Sequence, residues 1–477
     1  MNKNSFYKLL IKKLIPKKIR NNLINLKLKI VAFSLLNFKF YRDNYIRKSI
    51  INFEPNKKYL VKNLSPKWKL AAFWDSDGRF KWLQNICEKE NVDMVHIPRI
   101  LFRNVFHYLF YSRGYMQDWG KGELPLNLFY DKNFSKERKI YLNYCENVTK
   151  SISSQFNSDI FLLFKLNDDW IIDVLNGIKN SKFPVVVHDR EHGITPKRME
   201  IYPSHLEKIK KDLDVDKLCT SNETHYKFFL KCGIKREKLV LTGKPDTDAW
   251  FSNDKKVSKR ELSKKINPDL PLITYFSFSK FNYLNFFYEG EERNWLELAD
   301  DYHDVLIEVL RKFNGELQIV YKLGGKPVRD FYPGFESFME RLNKLNLQNS
   351  IVLLDSNIST IDLLKVSDCI LGFHTLGIVE AMFTDKPILF GAWGDLFNDI
   401  KDTLIPFHKL KGIHYCDSPT ELKNSLINVI DKKSLVICDR KIRDAEIETF
   451  FYKADGQSSK RLFSVLEEVY KSFYNEL

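Results

Sequence analysis

Short apolar runs rich in Val, Ile, Leu and Phe alternate with helix-patterned stretches along most of this chain, and the alternation happens twice. The first series of strand-like runs is Lys69–Trp74, Asp93–Ile97, Asp159–Phe164, Pro184–His188, Lys217–Thr220 and Lys238–Thr242. Helix patterns such as 136–156, 169–179 and 222–231 fall between them. A polar stretch, 254–269, interrupts the series, and a second set follows at Leu272–Phe276, 317–322, 350–354, 368–372, 386–390 and 412–415. Its intervening helix patterns are 292–313, 335–345, 360–366, 376–383 and 420–430. Runs of 4–8 apolar residues without polar alternation suit strands buried on both faces, and strand–helix alternation builds parallel sheets. The expectation is an α/β protein of two Rossmann-like, doubly wound domains facing a central cleft. Ligands of such sheets bind at the carboxyl edges of the strands.

Charge divides the chain differently. Residues 1–50 hold thirteen Lys or Arg against one acid, Asp43, so this segment carries +12 of the net +15. Large apolar residues (Phe6, Leu10, Ile11, Leu14, Leu23, Ile24) are interleaved with the basic ones. That mixture fits an amphipathic helix lying on an anionic membrane surface better than a nucleic-acid arm; packing on the body with Lys outward is the plainer alternative. The longest apolar run, Ile30–Leu36, is too short to span a bilayer and has no cleavage-site pattern. The domain expectation is therefore a basic membrane-associating arm at 1–60 and an amino-terminal acceptor domain at 61–255. A carboxyl-terminal donor domain follows at 256–435, and helices at 436–477 pack back across both. Seven scattered cysteines with no CxxC pair indicate a reducing compartment. The expected location is cytoplasmic, peripheral on the inner face of the cytoplasmic membrane, with no nucleic acid as partner.

The most informative segment is Val366–Phe390, VSDCILGFHTLGIVEAMFTDKPILF. A strand ends at Gly372, His374 and Thr375 make a turn, and a helix starts near Leu376. Thr375 can cap that helix, and small Gly377 would let a ligand approach the backbone. Amides at a helix start attract a nucleotide's phosphates, while Glu380, one turn deeper, is spaced to reach ribose hydroxyls.

Residues 367–387 resemble the nucleotide-binding segment of GT-B glycosyltransferases and the related UDP-N-acetylglucosamine epimerases. Three further segments resemble the capsule and surface-carbohydrate transferases near CDP-glycerol polyol-phosphate transferases. They are Val187–Gly193 (VHDREHG), Leu241–Asp248 (LTGKPDTD) and Ala454–Arg461 (ADGQSSKR); with Val320–Pro327 (VYKLGGKP) they occur in family order over about residues 180–465. The resemblance implies a bacterial, metal-independent glycosyltransferase that needs no cofactor. It would move a sugar from a CMP- or UDP-linked donor to a lipid-linked surface polysaccharide, capsule or O-antigen. A polyol-phosphate transferase and an inactive membrane-bound scaffold of the same fold are the alternatives. The chain departs from the family where relatives often have Lys-x-His-Pro: it has Lys322-Leu-Gly-Gly-Lys326-Pro327, and His374-Thr375 replaces a Ser-Ser/Thr pair.

Glycosyl transfer requires a stabilised leaving phosphate and a base for the acceptor hydroxyl. Ser277, Ser279, Lys322, Lys326, His374, Thr375, Gly377 and Glu380 are the expected donor-binding residues. His192, Glu191 and Asp189, just past a strand end of the other domain, are the candidate bases; in a retaining reaction a carboxylate among them would be the nucleophile. Asp75, Asp77 and Arg79 in the first strand–helix loop would line the acceptor side. The Asp75-Ser-Asp77-Gly78 run also resembles a phosphatase nucleophile motif, with Asp395 and Asp399 as distal acids, but these would belong to different sheets. No metal ligand is expected.

Overall fold

The computed structural model describes residues 17–52, 60–63, 65–74, 81–110, 132–166, 170–189, 193–197, 199–200, 203–204, 213–252, 257–277, 295–322, 334–354, 358–432 and 439–475. Asp75, Asp77, Arg79, Glu191, His192, Ser279 and Lys326 lie outside them.

Two separate sheets form, one from each half of the chain. The first contains β1 (Leu60–Val61), β2 (Lys69–Trp74), β3 (Asp93–Pro98), β4 (Ile160–Phe164), β5 (Val185–Asp189), β6 (Lys217–Thr220) and β7 (Leu239–Leu241), in the order β1-β3-β2-β4-β5-β6-β7. The second contains β8 (Leu272–Phe276), β9 (Gln318–Lys322), β10 (Ile351–Leu354), β11 (Cys369–Gly372), β12 (Ile388–Gly391) and β13 (His414–Cys416), ordered β10-β9-β8-β11-β12-β13. Pairing is parallel throughout both sheets except at β1, a two-residue antiparallel edge on β3 that the sequence pattern did not signal. All five residues of β5 and all five of β8 are buried, because helices cover both faces. The second sheet has the 3-2-1-4-5-6 order of a dinucleotide-binding fold, whose topological switch falls between β8 and β11.

Of the polar 254–269 stretch, residues 257–269 are described, and they run between the last strand of the first sheet and the first strand of the second. Within it the Lys259–Leu262 helix starts at a capping box between Ser258 and Glu261. The Lys259 ammonium then ties the connection to the second sheet through Asp368 Oδ2, 2.9 Å away.

The last helix, Ser458–Asn475, returns to the amino-terminal half. Trp68 stacks on Phe463 and Tyr470 with ring centroids 5.4 and 5.5 Å apart, and the Tyr474 hydroxyl donates to the Asp159 carbonyl at 3.0 Å. Two sequence motifs make this return. Asp248 of LTGKPDTD accepts hydrogen bonds from the Ser458 and Ser459 amides, capping the helix (3.0 and 2.7 Å). Arg461 of ADGQSSKR donates to the Thr242 carbonyl at 2.8 Å and to both Asp455 oxygens. Gly243 must be glycine here: its φ is +82°, and a Cβ would sit 2.5 Å from Ser458 Oγ.

The basic arm forms helices Lys17–Asn37 and Lys39–Asn52. One face packs on the amino-terminal domain, with Ala32, Leu35 and Ile46 fully buried and Ser151 Oγ donating to Asp43 at 2.7 Å. The other face exposes large apolar side chains: Leu26 (55%), Ile30 (57%), Phe33 (49%), Phe38 (54%) and Phe40 (85%). Leu26, Ile30 and Phe33 follow helical i, i+4, i+7 spacing, and the exposed Lys27, Lys29 and Lys39 stand among them. No helix among the described residues is long and apolar enough to cross a membrane.

Candidate active site

The carboxyl edges of β5, β8 and β11 carry the residues that the sequence pattern singles out. Ser277 directly follows β8, and Gly372 pairs with Phe276 in register, so the 373–375 turn and Ser277 flank the topological switch of the second sheet. Ser277 Oγ is buried and has no hydrogen-bond partner among the described residues, an open polar group at the expected ligand position.

Thr375 caps the Leu376–Ala381 helix, its Oγ1 accepting from the Gly377 amide at 3.3 Å. Gly377 has a packing reason to be glycine: a Cβ there would lie 2.9 Å from the Phe276 ring. His374 takes a different part from the expected phosphate ligand. It is buried with φ of +29°, and its Nε2 accepts the Ile405 amide at 3.1 Å. Burial pushes the imidazole down to about 3, so it is neutral at pH 7 and offers no positive charge. It holds the 404–407 loop against the turn instead. Lys322, at the end of β9, directs its ammonium to the Ile358 carbonyl at 3.0 Å.

Glu380 meets the other domain. Its Oε1 lies 2.7 Å from the Lys244 ammonium, and both side chains are largely buried, at 9% exposure for Lys244 and 20% for Glu380. Lys244 belongs to the LTGKPDTD motif and directly follows the Gly243 turn, yet its cationic role at the cleft escaped the sequence reading. Its position just past the end of β7, at the ligand-binding edge, was the available signal. A second contact crosses the same cleft nearby: a Cβ on Gly193 would lie 2.5 Å from Leu376 Cδ2 and 2.7 Å from Ile405 Cδ1. Gly193 of VHDREHG thus abuts the start of the Leu376–Ala381 helix.

Of the three candidate bases, Asp189 alone is described. Its Oδ2 lies 2.7 Å from His225 Nδ1, both side chains are nearly sealed from solvent, and its backbone carbonyl accepts from Ser221 Oγ. A carboxylate so engaged orients His225, and service as a free base would require breaking that pair. His225 Nε2 is buried with no hydrogen-bond partner among the described residues. His225 was missed because its partner is 36 residues away, on β5.

Neither a family model nor a curated protein matches this chain. Solved structures do match in fold. A putative UDP-N-acetylglucosamine 2-epimerase from Listeria monocytogenes aligns with a TM-score of 0.51 at 13% identity, over 86% of this chain and 98% of that one. UDP-GlcNAc 2-epimerase from Methanocaldococcus jannaschii aligns at 0.50 and 12%, over 84% and 99%. An apo OtsA structure aligns at 0.50 and 10%, over 84% and 99%. The chain has the two-domain GT-B fold.

Proposed function

We propose that this protein is a GT-B glycosyltransferase that moves a sugar from a nucleotide-activated donor, CMP- or UDP-linked, to a lipid-linked surface polysaccharide. The observation that carries the reading is the meeting of two motifs across one cleft: Glu380, one turn past the Thr375 cap, pairs with Lys244 of the facing domain. In this reading the nucleoside lies along the Leu376–Ala381 helix with its ribose hydroxyls on Glu380. The phosphates lie toward Ser277 and the helix start, where amides and cations stabilise negative charge. The acceptor hydroxyl oxygen bonds to the anomeric carbon as the sugar–phosphate bond breaks. Its proton passes to a base on the 189–192 segment, Glu191 or His192, and the bonding electrons leave on the phosphate.

The exposed apolar stripe of the arm, rimmed by lysines, supports peripheral binding to an anionic membrane, which would bring the cleft to a lipid-linked acceptor. The fold-matching epimerases motivate a second reading, a nucleotide-sugar epimerase. One assay separates the two. The full chain is incubated with CMP- and UDP-linked sugars, with and without bacterial lipid-linked glycan, and released nucleotide and remaining donor are resolved by chromatography. Acceptor-dependent nucleotide release supports the transferase. Conversion of UDP-N-acetylglucosamine to its 2-epimer without acceptor supports the epimerase and refutes the transfer reading.

A further inference from the structure

We propose that Lys244 is a positioning residue that makes nucleotide recognition in the carboxyl-terminal domain depend on the amino-terminal domain; this rests on the reading of Glu380 as the ribose-binding carboxylate. Three observations support it. First, Lys244 is a largely buried cation whose ammonium lies 2.7 Å from Glu380 Oε1 and 5.8 Å from the centre of the Phe451 ring, so its charge is directed to one carboxylate. Second, its backbone is fixed on several sides. Its carbonyl accepts from the Thr247 amide and hydroxyl (3.0 and 2.7 Å), and the preceding Gly243 donates its amide N–H to the Thr220 carbonyl at 3.3 Å. His188 Nε2 lies 3.2 Å from the Gly243 carbonyl. These anchors sit at the ends of β5 and β6, so the lysine is presented by the sheet itself. Third, the pair crosses from one domain to the other, as the apolar Gly193–Leu376 contact does, and among the described residues it is the ion pair that reaches the Leu376–Ala381 helix from the facing domain, whereas the Thr375 cap and the Phe276 ring are internal to the second domain.

A carboxylate that must receive two vicinal hydroxyls needs a fixed plane as well as a charge. Lys244 supplies both by occupying Oε1 from the opposite wall. Without it Glu380 loses the ammonium 2.7 Å from Oε1 in a poorly solvated position, and the facing domain no longer fixes that oxygen. The prediction concerns discrimination more than affinity: the loss of Lys244 should erase the preference for a ribose diol.

The test measures equilibrium binding of UDP and CDP, each beside its 2′,3′-dideoxy form, to the full chain and to Lys244→Met, with Lys244→Gln as a second variant that can still donate one hydrogen bond. Two hydrogen bonds to a charged group predict that the wild type prefers the ribo form by about 100-fold. The ratio should fall to about 3-fold or less in Lys244→Met and lie between these in Lys244→Gln. A purely structural lysine would lower Tm and weaken both forms alike, leaving the ratio intact, and that result overturns the proposal. A wild type that binds both forms equally also overturns it, with the nucleotide site surviving. A wild type that binds none of the four ligands overturns the proposal together with the reading of the site as one for uridine or cytidine diphosphates. If Lys244→Met does not fold, Lys244→Gln decides by the same ratio.

Discussion

Asp248 Oδ2 accepts the Ser459 amide at 2.7 Å and the Ser459 hydroxyl as well, joining residues 211 positions apart. This cap and the adjacent Arg461–Thr242 bond clasp the last helix to the amino-terminal domain, so the two motifs at 241–248 and 454–461 have an architectural partnership. Asp248→Ala should remove the cap and cost about 1–2 kcal/mol. Scanning calorimetry should show a transition lowered by about 1–2 °C for a chain of 477 residues, with Asp248→Asn intermediate. An unchanged transition would mean the clasp contributes nothing to stability.

Glu380→Ala should weaken nucleotide binding by about 100-fold or more, since it removes both hydrogen bonds to the ribose diol and each hydrogen bond to a charged group contributes about 1.5–3 kcal/mol. It also leaves Lys244 buried without its carboxylate, at a cost of about 3 kcal/mol. Titration calorimetry with the best-binding nucleotide checks the affinity, and unchanged affinity would take Glu380 out of the site.

His374 makes a pH prediction. Its folded-state value lies near 3, below its ordinary 6.5, so between those values the unfolded chain binds the extra proton. Stability from keeping the imidazole neutral is present above pH 6.5 and is lost as pH falls toward 3. At pH 5 the loss is about 2 kcal/mol. In an NMR titration the His374 ring resonances should stay flat from pH 7.5 to 5, and His374→Asn should flatten part of the acid-side decline in Tm. A ring that titrates near 6.5 would contradict the buried, amide-accepting placement.

The arm is better tested by surface substitution than by truncation. Removing residues 1–50 would take Ala32, Leu35 and Ile46 out of the core and leave Ser151 without Asp43. Ile30→Glu, Phe33→Glu and Phe40→Glu together alter only exposed positions. The triple variant should keep the wild-type Tm and fail to sediment with phosphatidylserine vesicles, and wild-type binding should weaken in high salt. Undiminished sedimentation of the variant would refute membrane docking through this face.

Much of the fold was legible because strands of both sheets are buried on both faces and read as continuous apolar runs. The bounds of β2, β6, β8 and the Thr360–Val366 helix match the apolar runs residue for residue. Two-residue β1 carries too little pattern to signal itself, and it pairs antiparallel at an edge. Within the site, Thr375 was readable as a cap because capping is local. Lys244 with Glu380 and Asp189 with His225 were not readable as pairs, since separations of 136 and 36 residues are closed only by the folded sheets. His374 shows the converse: its residue type suggested a phosphate ligand, and burial against Phe407 and the Ile405 amide gave the ring a structural task. The arm packs one face on the body, as the plainer alternative expected, and leaves large apolar side chains exposed on the other.

The central claim is a nucleotide site between the two sheets, at the Leu376–Ala381 helix. A thermal-shift screen of the full chain against CMP, CDP, UDP, GDP and their sugar or polyol conjugates tests it most directly. At 100 times Kd a bound ligand adds about 2.7 kcal/mol, enough to raise Tm by about 3 °C for a chain of 477 residues. The account predicts such a rise with ligands of one base, lost in Glu380→Ala; no shift with any of them, or an equal shift in the variant, would contradict it.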